Sequence, residues 1–343
     1  MSPARFQEIT AQYASLRVGV VGDFCLDRYL EIDPTKQELS IETGLPVHNV
    51  VNVRSQPGGA GTILNNLTAL GVAEIYPVGF AGEDGEGFEL RAALRSRPRV
   101  NLQHFWKTDQ RRTFTYCKPL VIETGKPPVE LNRLDSKNWT RTPALLQGLL
   151  IDSVANVARE ADALILLDQV DAPETGVITS RLLEAVGHIA HELPELPILA
   201  DSRRGLRGYP PVIFKMNAAE LAALTGAGQK NPDLEQVKGI AATLARKQTR
   251  CVFVTLSECG ILGAPPDGAV EHVPALPIRG PIDIVGAGDA VTANLTAALA
   301  AGATMREAME IAMAAASIVI HQLGTTGSAS LGQIGSLLAG PRS

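Results

Sequence analysis

Cysteine is scarce in this chain, and aromatic residues make up only 4% of its 343 positions. The cysteines are too few and too scattered for a disulfide framework or for a zinc site built from thiolates. We therefore expect a chain that works in the reducing environment of the cytoplasm. The four cysteines are Cys25, Cys117, Cys251 and Cys259.

Long apolar runs and an excess of positive charge are also missing. The longest apolar run, from Ile311 to Ile320, falls well short of the roughly 18 residues that a membrane-spanning helix needs. Residues 1–17 lack the apolar stretch of a signal peptide. Lysine and arginine total 31 against 36 aspartates and glutamates, a formal net charge of −5. We therefore expect no membrane and no nucleic acid among the partners.

Short apolar or β-branched runs alternate with segments of helical spacing along most of the chain. Strands that are apolar throughout and separated by helices predict an α/β fold, with a doubly wound, mostly parallel sheet covered by helices on both faces. Ligands of such folds bind beyond the carboxyl ends of the strands. The predicted strands are Val18–Val21, Ile75–Phe80, Leu164–Asp168, Pro197–Asp201, Val212–Met216 and Cys251–Leu256. The predicted helices are Thr62–Leu70, Glu86–Arg95, Pro143–Ala161, Glu174–Leu193, Asp233–Arg246, Asp289–Ala301 and Met305–His321.

Two segments, residues 24–56 and residues 100–134, interrupt this alternation. Neither contains a convincing helix, and Thr113 to Tyr116 alternates as a strand does. We interpret the two segments as a small separate sheet that covers the ligand crevice as a lid and offers a surface for a homodimer. No repeat or long linker divides the chain, so we predict a single domain over residues 1–343.

The strongest motif is Gly286-Ala287-Gly288-Asp289, which precedes an alanine-rich helical run. Small residues let backbone N–H groups approach an anion closely, and a helix start adds its positive dipole end. The triphosphate of a nucleotide is the natural guest, and the Asp289 carboxylate could take a proton from an attacking hydroxyl. The alternative is a loop followed by an acidic helix start, which stabilises the helix alone. No lysine motif of the P-loop type occurs.

Two further motifs predict contacts with a polyhydroxylated substrate. Gly58 and Gly59 form a close-approach turn that leads to Asn66, and Asp23 and Asp27 follow the first strand. Carboxylates accept strong hydrogen bonds from sugar hydroxyls. The alternatives are a turn with a helix cap at the glycines, and a strand-terminating turn at the aspartates.

Asn217 and Glu220 follow an apolar strand with a spacing that places both side chains on one side of a helical turn. They could hold the water shell of Mg²⁺ or orient phosphate oxygens, because Mg²⁺ is usually bound by few protein groups. The alternative is a capping box, in which the two side chains only close the start of a helix.

The order of these motifs along the chain resembles that of the ribokinase-like (PfkB) carbohydrate kinases, from Val18 to Ser328. The family order comprises the Gly22-Asp23 strand end, the Pro57-Gly58-Gly59 loop, residues 78–87, Asn217…Glu220 and Gly286–Asp289. Within that family the chain is most similar to the heptose-7-phosphate kinases, on the motifs at residues 22–29, 133–135, 254–260 and 323–326. Since the resemblance to these kinases ends at Ser328, close to the last residue of the sequence, we expect no nucleotidyltransferase domain of the kind sometimes fused to heptose kinases.

The resemblance implies a transfer of the γ-phosphoryl group of ATP to a sugar or sugar-phosphate hydroxyl, with Mg²⁺ as cofactor. It implies that Asp289 is the base, and that the anion hole consists of Gly286, Ala287 and Gly288. The sugar site is implied to consist of Asp23, Asp27, Gly58, Gly59 and Asn66. The nucleotide site is implied to consist of Asn217, Glu220, Thr255, Ser257 and Gly260.

Further roles are implied for single residues. Glu220 would help to place Mg²⁺ indirectly, and Asp283 matches a position where the family often binds K⁺. Asp201 and Arg203 match a strand end near the phosphates. A substrate phosphate needs cations under the lid, and we assign Arg133 to it among four candidates. The candidates are Arg111, Arg112, Lys118 and Arg133, for which solvated charges on an exposed sheet are the alternative.

Two departures from the family pattern keep other functions open. Val285 stands where a threonine is common, and Thr62 stands where an asparagine usually follows the glycine loop. One alternative is therefore a catalytically weak sensor of sugars or nucleotides. The other is a kinase that acts on a different small alcohol, such as a nucleoside.

Overall fold

The computed structural model describes residues 1–226 and 233–340. Its strands are β1 (Arg17–Gly22), β2 (Phe24–Ile32), β3 (Glu38–Leu39), β4 (Pro46–Val47), β5 (Val50–Gly59), β6 (Glu74–Gly82), β7 (Phe105–Thr108), β8 (Phe114–Val121), β9 (Val129–Glu130), β10 (Leu134–Ser136), β11 (Ala163–Asp168), β12 (Ile198–Ser202), β13 (Ile213–Asn217), β14 (Val252–Thr255), β15 (Ile261–Ala264) and β16 (Glu271–Val273). Its helices are α1 (Pro3–Ala11), α2 (Ala60–Ala69), α3 (Gly85–Arg95), α4 (Ala144–Glu160), α5 (Ser180–Glu192), α6 (Ala218–Thr225), α7 (Leu234–Gln248), α8 (Ala287–Ala300), α9 (Met305–Val319) and α10 (Leu331–Leu338).

A 9-stranded sheet forms the centre of the molecule, in the order β16-β15-β14-β13-β12-β11-β1-β6-β7. The strands from β14 to β7 in this order run parallel, and β15 and β16 add an antiparallel edge. All the strands expected from the apolar runs are present. The prediction of a doubly wound, mostly parallel sheet with a small additional sheet is therefore confirmed.

Alternate residues of the central strands face opposite layers of helices. In β11, Leu164 and Leu166 belong to the apolar cluster beneath α4, α5, α6 and α7. Ile165 and Leu167 belong to the cluster that includes residues of α1, α2, α3, α8, α9 and α10. Because side chains alternate along a strand, a strand covered on both faces must be apolar at every position. This burial explains the uninterrupted apolar runs in the sequence.

A second, 5-stranded sheet contains β2, β5, β8, β9 and β10 and lies next to the carboxyl edge of the large sheet. Only Asp23 separates the end of β1 from the start of β2, so the chain passes directly from one sheet into the other. β2 pairs in parallel with β8 and antiparallel with β5. The predicted lid segment 24–56 supplies β2, the β3–β4 hairpin and most of β5.

The second predicted lid segment, 100–134, is only partly in the small sheet. β7 pairs in parallel with β6 and extends the large sheet instead. The reason is apolar burial: Phe105 in β7 packs edge-on against Phe24, with ring centroids 5.1 Å apart. Within this segment the small sheet therefore starts at Phe114. The last strand of the small sheet, β10, continues beyond residue 134. In the described parts of the chain, no helix is both long and apolar enough to cross a membrane.

Candidate active site

The start of α8 is built to receive an anion. Gly286 adopts a left-handed backbone conformation with φ +83°, which glycine tolerates and most residues do not. The helix begins at the next residue, so the N–H groups of its first turn have no partner within the helix. Together with the positive dipole end of α8, these N–H groups can surround a phosphoryl group.

Asp289 lies in this first turn and is half-buried. Removal from water raises the pKa of its carboxyl to about 7, and the negative charges of Asp201 and Asp27 act in the same direction. The cations Lys215 and Arg203 oppose that rise in pKa. A carboxyl with a pKa near neutrality is matched to the task of a general base.

A cavity of about 560 Å³ opens on one side of this turn. Ala287 and Gly288 line it together with Thr255, Ser257 and Gly260, so the structure brings together the predicted anion hole and part of the predicted nucleotide site. The remaining walls are mostly apolar, as suits a planar purine base. They include Leu276, Pro277, Ile278, Ile282, Ile284, Val291, Met313 and Ile320.

Asp27 lies in β2 of the small sheet, outside the walls of this cavity but close enough to Asp289 for its charge to act on that carboxyl. It is 7% exposed, and no described residue donates a hydrogen bond to its carboxylate. Burial raises the pKa of Asp27, while Lys118 and Arg133 lower it. Gly58 makes room for this carboxylate, because a Cβ at Gly58 would lie 2.6 Å from Asp27 Oδ2. Asp27 and Gly58 thus form a place where a sugar hydroxyl can donate.

The side chains of Asp23 and Asn66 bind groups of the protein itself. Asp23 is 1% exposed, and its carboxylate accepts the backbone N–H groups of Gln169, Val170 and Val177. Burial raises the pKa of Asp23 to about 7, and those amides oppose the rise in pKa. Asn66 is fully buried, and its side chain donates to the Thr62 carbonyl at 3.0 Å.

Asn66 Oδ1 has no hydrogen-bond partner within the described residues, and the sugar contacts of Asp23 and Asn66 stay predictions. Asp23 fixes the loop that follows β11 at the carboxyl edge of the sheet. Gly59 is required by the local backbone. Its φ is +57°, and a Cβ there would lie 2.6 Å from the Asp23 carbonyl oxygen.

Asn217 and Glu220 form the capping box that the sequence left as an alternative. The Glu220 N–H donates to Asn217 Oδ1 at 2.9 Å, and the Asn217 N–H donates to Glu220 Oε2 at 2.7 Å. Burial raises the pKa of Glu220, the nearby Asp201 adds to the rise in pKa, and Lys215 lowers it. The pair thus closes the start of α6 and also stands at the carboxyl edge of β13, near the start of α8.

Asp283 lies in the loop before α8. Its backbone N–H donates to the Ile320 carbonyl at 2.7 Å, and one carboxylate oxygen accepts the Val285 N–H at 3.0 Å. These contacts tie the loop before the anion hole to the end of α9. Within residues 1–226 and 233–340 no three His, Cys, Asp or Glu side chains group together as ligands of a metal.

The cations expected under the lid differ in their burial and in the groups that they contact. Arg133 pairs with Asp135 at 2.9 Å, and its guanidinium lies 5.0 Å from the centre of the Tyr116 ring. Lys118 lies over the Tyr29 ring at 5.0 Å. Arg111 is buried and donates to Thr140, Thr142 and Thr175, so it braces the base of the small sheet and cannot reach a ligand.

The sequence signature of the pfkB family carbohydrate kinases matches residues 20–331. The chain belongs to this family. The family is one of carbohydrate kinases.

Other proteins resemble this member of the pfkB family over nearly its whole length. "Bifunctional protein HldE" of Citrifermentans bemidjiense is 30% identical over 317 residues, which cover 91% of this chain and 61% of that protein. The protein of the same name from Azorhizobium caulinodans is 30% identical, with 90% and 61% covered. The chain thus spans 61% of the length of these relatives.

Solved structures share the fold. Ribokinase of Arabidopsis thaliana, complexed with ribose and ATP, superposes with a TM-score of 0.65 at 19% identity, covering 94% of this chain and 97% of that one. Phosphofructokinase-2 of Escherichia coli, in complex with potassium, superposes with a TM-score of 0.71 at 18% identity, covering 93% and 97%. At these identities the likeness establishes the fold of this pfkB family member and nothing finer.

Two polar residues near the start of α8 are absent from the sequence-based predictions. Lys215 lies in β13 and pairs with Asp201 at 2.7 Å. Gln56, at the inner end of the small sheet, donates to the Thr326 hydroxyl at 2.5 Å, and Thr326 lies next to Gly286. A charged residue in a buried apolar strand was a usable signal for Lys215. Nothing in the sequence around Gln56 sets it apart.

Proposed function

We propose that this kinase uses ATP with Mg²⁺ to phosphorylate a hydroxyl of a sugar phosphate, with heptose 7-phosphate as the first candidate. One observation carries the proposal: Asp289 is adjacent to an apolar cavity that suits a nucleotide base and is also near the Asp27 carboxylate that suits a sugar hydroxyl. The cavity reaches Gly288, next to Asp289, and Asp27, which does not line that cavity, acts on Asp289 by its charge.

This arrangement supports a direct transfer of the phosphoryl group. A sugar hydroxyl oriented by Asp27 attacks the γ-phosphorus, and Asp289 accepts the hydroxyl proton as the new O–P bond forms. The bond between the γ-phosphorus and the β–γ bridging oxygen breaks, and ADP leaves with that electron pair. The N–H groups of the Gly286–Gly288 turn stabilise the charge on the equatorial oxygens.

The cation requirements follow from the donor groups at the site. Mg²⁺ supplies positive charge to the phosphates, and the absence of a three-carboxylate group in the described residues fits an ion held mainly by phosphates and water. Glu220 is the carboxylate that would contact its water shell. For K⁺ we propose Asp283, whose carboxylate has an oxygen beyond the one bound to Val285. E. coli phosphofructokinase-2, which shares the fold, has been solved in complex with potassium.

A phosphorylated sugar is favoured over a free sugar by the cations near Asp27. Arg133 and Lys118 both act on the Asp27 carboxyl, so they lie at the sugar side of the site. A substrate phosphate would compete with Asp135 for the Arg133 guanidinium, which binds phosphates in a bidentate manner. The resemblance to the heptose-7-phosphate kinases selects the heptose among sugar phosphates.

We also propose a homodimer that forms through the small sheet, and a cytoplasmic location. The sheet exposes apolar side chains that a second copy would cover, and these include Val51, Val53, Val129 and Leu134. The cysteines are all free, as expected for a reducing compartment.

The test is ADP release with Mg-ATP across heptose 7-phosphate, fructose, fructose 6-phosphate, ribose and adenosine, with Asp289→Asn as the control. We expect one strong signal, with heptose 7-phosphate, and its loss in the Asn variant with ATP affinity unchanged within a few-fold. An active Asn variant would refute the assigned base. ATP binding and ligand-induced stabilisation without ADP release would favour the sensor, and a signal with adenosine alone would favour a nucleoside kinase.

A further inference from the structure

Lys215 is a buried cation in an otherwise apolar strand. It is 6% exposed in β13, between Phe214 and Met216, which both pack in the core. Its ammonium donates to Asp201 Oδ2 at 2.7 Å. Burial alone would lower the pKa of Lys215, but Asp201, Asp289 and Glu220 raise it above the ordinary value, so the side chain is charged. A buried pair of this kind gives little net stability, because both ions lose their hydration.

The ammonium of Lys215 is packed against the start of α8. A Cβ placed on Gly288 would meet one atom within 4 Å, Lys215 Nζ at 3.2 Å. Glycine at position 288 therefore leaves space for this ammonium beside the turn. The carboxylate partner is fixed to the same helix, because the Thr292 hydroxyl donates to Asp201 Oδ2 at 3.0 Å.

Charged groups from several elements face Asp289. Asp27 comes from β2, Asp201 from β12, Arg203 from the segment after β12 and Lys215 from β13. Among the two cations, Arg203 is exposed and makes no side-chain hydrogen bond within the described residues, whereas Lys215 is enclosed and held by Asp201. Lys215 is therefore the cation whose position the fold determines.

We propose that Lys215 is a positioning residue of the phosphoryl transfer: held by Asp201, it places a fixed positive charge beside Asp289 and keeps that carboxylate ionised while it awaits the hydroxyl proton. The proposal rests on the proposed role of Asp289 as the base. Asp201 has two opposed effects, since it orients the ammonium and also repels the Asp289 carboxylate.

The test compares Lys215→Met with Asp201→Asn. The amide oxygen of Asn can still accept from the Lys215 ammonium while the negative charge is lost, so the two changes act on Asp289 with opposite signs. Removal of the cation raises the pKa of Asp289 by about one to three units, and removal of the neighbouring anion lowers it by about one unit. The acid limb of kcat/KM against pH and the carbon-13 NMR titration of the Asp289 carboxyl in the ligand-free protein both report this shift. Lys247→Met is the matched control, because Lys247 in α7 is exposed and does not act on Asp289.

Opposite displacements in the two variants support the proposal. An unchanged Asp289 titration in Lys215→Met, or displacements of the same sign, would overturn it, whatever the loss of rate. If Lys215→Met does not fold, the double variant Asp201→Asn/Lys215→Met must titrate at a higher pH than Asp201→Asn alone. If Asp289 is not the base, the Asp289→Asn variant will be active. The NMR titration of Asp289 reports the effect of Lys215 independently of that result.

Discussion

Replacement of Gly58 by alanine tests the sugar side of the site with one methyl group. The new Cβ would lie 2.6 Å from Asp27 Oδ2 and 2.7 Å from its Cγ, whereas ordinary contact begins at 3.4 Å. The atoms in conflict belong to a side chain that no described residue holds by a hydrogen bond. We therefore expect the Asp27 carboxylate to move by about 0.8 Å, while the two strands stay paired.

A displacement of this size affects binding of the sugar more than folding. A misplacement of about 1 Å can reduce a rate about 100-fold, so we expect kcat/KM for the sugar substrate to fall between about 10-fold and 100-fold. The KM for ATP stays within a few-fold, because neither Gly58 nor Asp27 lines the cavity that contains Gly288. Steady-state kinetics with each substrate varied in turn separates the two effects.

Gly148→Ala is the matched control for Gly58→Ala. Gly148 lies inside α4, and a Cβ there meets no atom within 4 Å. Its replacement improves helix propensity by up to about 1 kcal/mol and leaves the kinetics unchanged. An unchanged kcat/KM for the sugar in Gly58→Ala, with the fold intact by thermal melting, would show that Asp27 does not contact the substrate.

Two further predictions concern charge. Because the pKa of Asp289 is about 7 and its charged form is the active one, kcat/KM of the native enzyme should rise about 10-fold from pH 6 to pH 8. A flat pH profile would exclude Asp289 as the titrating base. Arg133→Ala should raise the KM for a sugar phosphate far more than the KM for ATP, and equal effects in steady-state kinetics would exclude a role in binding the substrate phosphate.

The large sheet was predictable because its strands are apolar at every position. A run such as residues 163–167 has no polar face, and only a strand covered on both sides requires that pattern. The edge strands carried a weaker signal. β7 has four residues, and only Phe105 is fully buried, so nothing in its sequence distinguishes an edge of the large sheet from a part of the lid.

The site was predictable where consecutive residues of one motif determine the local geometry. Gly286 to Asp289 combines a left-handed turn, a helix start and a carboxylate within four residues, and the structure places them together at one helix end. Asp23 shows where this reasoning stops. Its position after β1 suits a ligand, but its oxygens bind amides of residues 169–177, which lie far away in sequence. Only the folded chain reveals which donors reach a carboxylate.

Two buried cations, Arg111 and Lys215, show that a charged residue in an apolar stretch of sequence indicates a special role but does not identify that role. Arg111 donates to hydroxyl and carbonyl oxygens, and no described carboxylate pairs with it. Lys215 pairs with Asp201 at the carboxyl edge of the parallel strands, next to a helix start that suits an anion. Because burial of either charge costs free energy, each must have a reason to be there. Arg111 is buried because it braces loops. A gain in stability is a weak explanation for the burial of Lys215. Its place against the first turn of α8 therefore favours a function in the chemistry of Asp289.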